Sequence, residues 1–210
     1  NLDGSAIVFY SSTDIGTGSR TTLAMIAAET LGMPLSMFRS VSGDTEVAPY
    51  DGGSQGNRTL QSTGRAVEAA ARDCLQQILV AAGPLLNDAR PEDLELRDGV
   101  VRARQQPDRT AKLSEVMLRR GRSITGDGSV AQAQTGTDVE RTSAAHFAEV
   151  EVDRETGKVR ILRYVAAHDL GQATNLTVVE NQIEGGSIQG LALTQAEEMR
   201  FDRRTGACLT

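Results

Sequence analysis

The stretch from Ala6 to Leu31 constrains the fold of this chain more than any other. Ala6 to Tyr10 is apolar and alternating, the period of a strand, and Leu23, Ile26, Ala27 and Leu31 fall on one helical face. Between them lies Thr13-Asp14-Ile15-Gly16-Thr17-Gly18-Ser19-Arg20-Thr21-Thr22. A strand that turns into a helix through two glycines presents backbone N–H groups and the positive end of a helix dipole, which suits an anion. Gly16 and Gly18 permit positive φ and close backbone approach. The spacing lacks the third glycine of G-x-G-x-x-G, where Thr21 stands, and no lysine follows as in a Walker loop. Two readings therefore stand at this point: an anion-binding junction, or a tight turn with Ser19 or Thr21 as N-cap.

Composition narrows the partners. Only 3% of residues are aromatic and none is Trp, so the core is built from small aliphatic side chains and base-stacking platforms are not expected. A net charge of −6 argues against a nucleic-acid or anionic-membrane surface. A phosphate would have to be held by backbone N–H groups and a few local arginines. Cys74 and Cys208 form no C-x-x-C, so neither a disulfide framework nor a zinc site is implied. His146 and His168 lack metal-ligand spacing and read as structural. No signal peptide and no bilayer-length apolar run is evident. A cytoplasmic location is expected, with the periplasm left open because the chain reads as a piece of a longer one. Asn1 to Gly4 and Phe201 to Ala207 both read as hairpin turns missing one strand.

Along the chain, Gly32 and Pro34 end the first helix, and Met37 to Val41 is a short strand. Ser42 to Gln61 is a long polar segment, of the kind that is either functional or disordered. Thr63 to Val80 is the strongest helix, with Ala66, Val67, Ala70, Cys74, Leu75, Ile78 and Leu79 as its stripe. Leu94 to Arg97 and Val100 to Arg102 flank Asp98-Gly99, a type I′ hairpin signal. Ala111 to Arg120 reads as a helix and Gly121 to Arg141 as an irregular crossover. Ala144 to Val152 and Lys158 to His168 read as strands joined by Asp153 to Gly157, a turn pattern that returns at Asp202 to Gly206. In Asn175 to Glu198, Gln182, Gly185, Gly186, Gln189 and Gly190 fall near one helical face. Each helical glycine costs about 0.8–1 kcal/mol against Ala, so either a packed helix or a ligand must offset it.

Taken in order, these segments resemble the molybdenum-binding subunit of the xanthine dehydrogenase/aldehyde oxidase enzymes. Asp14 to Gly18 with Thr22 and the Ala27 to Gly32 helix is similar to that family's D-I-G-Q-G-x-x-T helix start. Gly43 to Thr45, Pro49 to Ser54 and Asn57 to Thr59, followed by Gly64 to Val67, resemble its second cofactor loop. Ala145 to Asp153 and Val165 to Gly171 resemble its paired strands. Asn175 to Gly186, Gln189 to Leu191 and Glu197-Glu198 resemble its glutamine-rich segment.

The resemblance implies an α+β fold of two lobes with small mixed and antiparallel sheets and packed helices. Residues 1–140 would form the first molybdopterin-binding lobe with its crossover, and 141–210 the start of a second. It implies a fragment of a molybdenum hydroxylase that binds molybdopterin, plain or as the cytosine dinucleotide, for water-dependent hydroxylation of a carbon centre. The expected contacts are Gly16, Thr17, Gly18, Gly56, Asn57, Arg58, Thr59, Gln182 and Gln189. Iron–sulfur clusters and FAD would reside on partner domains or subunits, and the substrate would be a small aldehyde or heterocycle. The general-base glutamate is expected beyond Thr210, so no residue here is assigned a catalytic role, no metal ligand is expected, and the isolated piece is expected to be inactive. Four departures stand out: Thr17 replaces the family's glutamine, Leu176 its proline, Asn181 and Ala192 its glycines. Thr17 and Ala192 keep open the alternative of a divergent, non-catalytic binding module of the same fold.

Overall fold

The structure is a computed structural model that describes residues 1–130 and 142–210. The chain forms two compact units, Asn1–Thr137 and Asp138–Thr210. Small sheets and packed helices make an α+β fold, with one parallel and two antiparallel sheets among the described residues.

The first unit opens with β1 (Ala6–Tyr10), α1 (Ser19–Leu31) and β2 (Phe38–Ser42). The two strands pair in parallel from Ala6↔Phe38 to Tyr10↔Ser42, so α1 is their crossover. The first helix ends as its sequence demands. Gly32 adopts φ 65, and the N–H groups of Gly32 and Met33 return to the carbonyls of Glu29 and Ala28. A Cβ at Gly32 would lie 2.5 Å from the Leu96 carbonyl oxygen, so the glycine also lets the helix end dock on the next sheet.

The second helix, α2 (Gly64–Ala82), packs on α1 and follows a π-helical turn over Thr59–Thr63. Its buried face, Val67, Ala71, Ile78, Leu79 and Ala82, joins Leu23, Ala27 and Leu31 in one core. A fully buried Leu such as Leu23 contributes about 1.5–3 kcal/mol. A second face of α2 receives the segment around Gly126 and Gly128, while 131–141 of the expected crossover lie outside the described residues. Cβ atoms at Gly126 and Gly128 would lie 2.2 Å from the Ala70 oxygen and 1.8 Å from the Ala66 oxygen. Ala66, Ala70 and Cys74, spaced four residues apart, are the flat strip that admits this backbone.

The antiparallel sheet β3 (Leu94–Arg97), β4 (Val100–Ala103) and β5 (Gln106–Lys112) completes the unit with α3 (Leu113–Arg120). Asp98 at φ 53 and Gly99 at φ 76 make the expected type I′ turn. The strand β5 corrects the helix expected from Ala111: the segment stays extended to Lys112, and the helix starts at Leu113. Only Ala111 of β5 is buried, and Pro107 is tolerated because the strand lies at the sheet edge. The Glu115 carboxylate accepts the Lys112 N–H at the new helix start.

The second unit holds the hairpin β6 (Ser143–Val152) and β7 (Val159–Asp169) and the helix α4 (Leu176–Gln195). The strands pair from Ser143↔Asp169 to Glu149↔Arg163, then slip one residue at a bulge to Val150↔Ile161. None of the described residues of this unit is fully buried. The repeated D-R-x-T-G pattern folds identically both times. The Asp153 carboxylate accepts the Glu155 and Thr156 N–H groups, and that of Asp202 those of Arg204 and Thr205. Each turn closes on a left-handed glycine, Gly157 or Gly206. Among the described residues, no helix is long and apolar enough to cross a membrane.

Candidate functional site

The glycine turn keeps its backbone N–H groups busy. The Asp14 carboxylate accepts N–H bonds from Gly16 at 3.0 Å, Gly18 at 3.1 Å and Arg20 at 3.2 Å. Burial pushes the Asp14 carboxyl up, but these three donors and the Arg20 charge outweigh it and hold the pKa below the usual carboxylate range. Neither Ser19 nor Thr21 caps α1, contrary to expectation. Gly18 is the N-cap residue, left-handed at φ 65 and with no side chain to offer, and Asp14 supplies the capping oxygens from upstream.

Other donors remain. Ser19 is 5% exposed, and its Oγ has no hydrogen-bond partner. Tyr10, 2% exposed at the end of β1, has an equally unpartnered hydroxyl. A buried hydroxyl without a partner costs about 1–3 kcal/mol, a cost a ligand can remove. A Cβ at Gly16 would meet nothing within 4 Å, so the turn has a bare, open side.

The long polar segment is sewn to this turn. The Ser11 hydroxyl donates to the Pro49 carbonyl, and the Ser54 hydroxyl to that of Thr13. The Thr63 hydroxyl donates to Asp51 Oδ2 at 3.1 Å, and the other Asp51 oxygen accepts the Gly53 N–H. Buried Ser12 donates to Thr63 Oγ1 at 3.5 Å. Within this frame Gly56 and Asn57 are both left-handed, at φ 54 and φ 58, and Gly56 faces open space. An asparagine tolerates that conformation better than most residues. The Arg58 guanidinium folds over Gly52, where a Cβ would sit 2.3 Å from its nitrogen. Thr59 begins the π-helical turn, an irregularity common beside functional sites.

In the second unit, Asn175 caps α4 by accepting the Val178 N–H. Gln182, Gly185, Gly186, Gln189 and Gly190 all lie within this helix and are exposed. A Cβ at Gly185, Gly186 or Gly190 would meet nothing within 4 Å. Close packing against other described residues therefore does not account for these glycines.

Of the predicted contacts, Gly16, Thr17, Gly18, Gly56, Asn57, Arg58 and Thr59 belong to the first unit, and hydrogen bonds join the two segments that carry them. Gln182 and Gln189 belong to the second. Sequence reasoning missed Ser19 as an orphaned donor and Asp14 as the acceptor that fills the turn. The second was signalled by an aspartate two residues before a glycine and five before a helix. Among the described residues, no group of three or more His, Cys, Asp or Glu is arranged to hold a metal.

The first unit is thus built on a parallel β–turn–α junction whose glycine turn is open on one side and is hydrogen-bonded to a loop with two left-handed residues. Residues 1–210 match the model of the molybdopterin cofactor-binding domain, and the chain belongs to that family. The aldehyde oxidoreductase molybdenum-binding subunit PaoC of Escherichia coli K12 is 32% identical over 205 residues, covering 97% of this chain and 26% of that protein. The probable hypoxanthine oxidase XdhD of the same strain is 29% identical over 204 residues, 95% of this chain and 21% of that protein. The crystal structure of quinoline 2-oxidoreductase from Pseudomonas putida 86 superposes with a TM-score of 0.82 at 28% identity, over 100% of this chain and 27% of the other. The chain thus spans about a quarter of the length of these relatives.

Proposed function

We propose that this chain is the cofactor-gripping part of a molybdenum hydroxylase, with residues 1–140 as one lobe and 141–210 as the start of another. The observation that carries the proposal is Ser19 Oγ, buried and unpartnered at the open glycine turn. The donor set fits molybdopterin, whose pterin ring is rich in neutral hydrogen-bonding groups. Asp14 already serves the N–H groups of Gly16, Gly18 and Arg20, so this turn takes a neutral edge of the ligand through Thr17 and Ser19. Asn57, Arg58 and Thr59, on the left-handed loop, supply an amide, a cation and a hydroxyl suited to a phosphate. Gln182 and Gln189 offer amides beside the bare glycines of α4.

The bound cofactor supplies two-electron oxidation of a carbon centre with water as the oxygen source. The chain's own part is to bind and orient it. No residue from Asn1 to Thr210 is assigned as general base. The cytosine dinucleotide form of the cofactor, a small aldehyde or nitrogen heterocycle as substrate, and iron–sulfur and flavin partners complete the proposed enzyme.

Cofactor analysis of the intact protein tests this. Molybdenum and pterin each near one per chain, with CMP released on acid hydrolysis, are the expected result. A folded intact protein that carries pterin but no CMP overturns the dinucleotide form, and one without molybdenum overturns the whole reading.

A further inference from the structure

The chain has two histidines, 22 residues apart, and the β6–β7 hairpin brings them together. The register pairs His146 with Ala166 and Ala144 with His168, so the imidazoles are diagonal neighbours on one face. Their Nε2 atoms lie 2.9 Å apart, with ring centroids 4.9 Å apart and the planes at 75°. Tyr164, two residues further along the same face opposite Ala148, places its hydroxyl 2.6 Å from His146 Nδ1. The remaining positions on that stretch of the face, Ala144, Ala148 and Ala166, are small and uncharged, and the pair is exposed. The neighbouring charges Glu149, Arg163 and Asp169 alternate onto the other face.

We propose that His146 and His168 form a two-imidazole site for a divalent transition metal of tetragonal preference, Cu(II) or Ni(II). Two imidazole lone pairs at this distance repel unless an electrophile lies between them. In the metal-free hairpin that electrophile is one shared proton. With its own proton on Nδ1, donated to Tyr164 Oη, His146 presents the Nε2 lone pair, the arrangement in which an outer partner fixes a ligand's tautomer. His168 presents Nε2 in turn when its proton sits on Nδ1, so binding to the neutral pair releases no proton. Metal–nitrogen bonds of about 2.0–2.1 Å at right angles separate two ligand nitrogens by about 2.9 Å, whereas tetrahedral angles require about 3.3 Å. The 2.9 Å of the proton-bridged pair already matches the right-angle spacing, so a tetragonal ion can replace the proton with little movement of the strands, whereas a tetrahedral one would have to spread them. Water fills the other positions, and the ion clips β6 to β7.

The test is electron paramagnetic resonance of the chain with one equivalent of CuCl2, near neutral pH where free imidazole is largely unprotonated. A tetragonal spectrum with coupling to two equivalent nitrogens is expected. H146Q and H168Q should each abolish that coupling, and Y164F should keep it while weakening binding by about tenfold. If a glutamine variant fails to fold, judged by circular dichroism, the wild-type spectrum decides alone. Absence of two-nitrogen coupling in the wild type, or its persistence in a folded glutamine variant, overturns the proposal. Neither outcome bears on the cofactor reading, since no molybdenum or pterin enters the measurement.

Discussion

Replacing Asp14 by Asn tests whether this carboxylate organises the glycine turn. Three hydrogen bonds to a charged acceptor would nominally be worth about 1.5–3 kcal/mol each. Two of the three reach an exposed environment, so water replaces much of what is lost. The better guide is a helix cap, about 0.5–2 kcal/mol, plus about 0.3–1 kcal/mol for a negative charge at a helix start. D14N keeps one acceptor oxygen for Gly16 and Gly18 but turns an amide toward the Arg20 N–H and loses the charge. A cost of about 1 kcal/mol is expected, and about 2 kcal/mol for D14A.

The pH dependence gives the sharper check. The carboxyl's folded pKa lies below its ordinary value of 3.8. Above 3.8 the carboxylate is ionised folded and unfolded, and its stabilisation is fully present. As pH falls from 3.8 through the folded value, that stabilisation is lost. Urea unfolding of wild type and D14N, followed by circular dichroism across this range, should show a constant gap at neutral and mildly acidic pH that closes below 3.8. The other carboxyls held low, Asp3, Asp153 and Asp202, cancel in the difference. A gap that is absent at neutral pH, or that persists well below 3.8, refutes the role given to Asp14.

Three further outcomes are expected. G128A should destabilise the chain by about 1–3 kcal/mol in urea unfolding, because a Cβ would lie 1.8 Å from the Ala66 carbonyl oxygen. G185A should instead stabilise the cofactor-free chain by up to about 1 kcal/mol, since its Cβ meets open space on a helix, while lowering molybdenum retention in the intact protein. Maleimide should label exposed Cys208 well before Cys74, whose thiol is pushed up first by burial and then by the Asp73 charge; equal rates would contradict this.

What could be read in the sequence was local. The β1–turn–α1 junction follows from short-range periodicity, and Asp98-Gly99 dictates its own turn whatever surrounds it. The edge strand β5 could not be read this way. Gln106 to Arg109 carry no alternating apolar pattern, and the segment is extended only because β4 offers backbone partners. The register that joins His146 to His168 was implicit in two strands of known length around a five-residue turn, but spacing rules for metal ligands look along the chain and not across a hairpin. Asp14 was visible as a motif residue, yet its job emerged only when φ at Gly16 and Gly18 aimed their N–H groups back at it. The reason for the α4 glycines was undecidable from composition, because packing against a helix and exposure to a ligand ask for the same residue.

On the proposed reading, the turn bearing Ser19 and the left-handed loop at Gly56 to Thr59 hold molybdopterin. The most direct measurement is molybdenum per chain in the intact protein, compared between wild type and S19V combined with G56V, with folding verified by urea unfolding. Molybdenum near one per chain is expected in the wild type, with most of it lost in the folded variant. Equal molybdenum in both would contradict that reading.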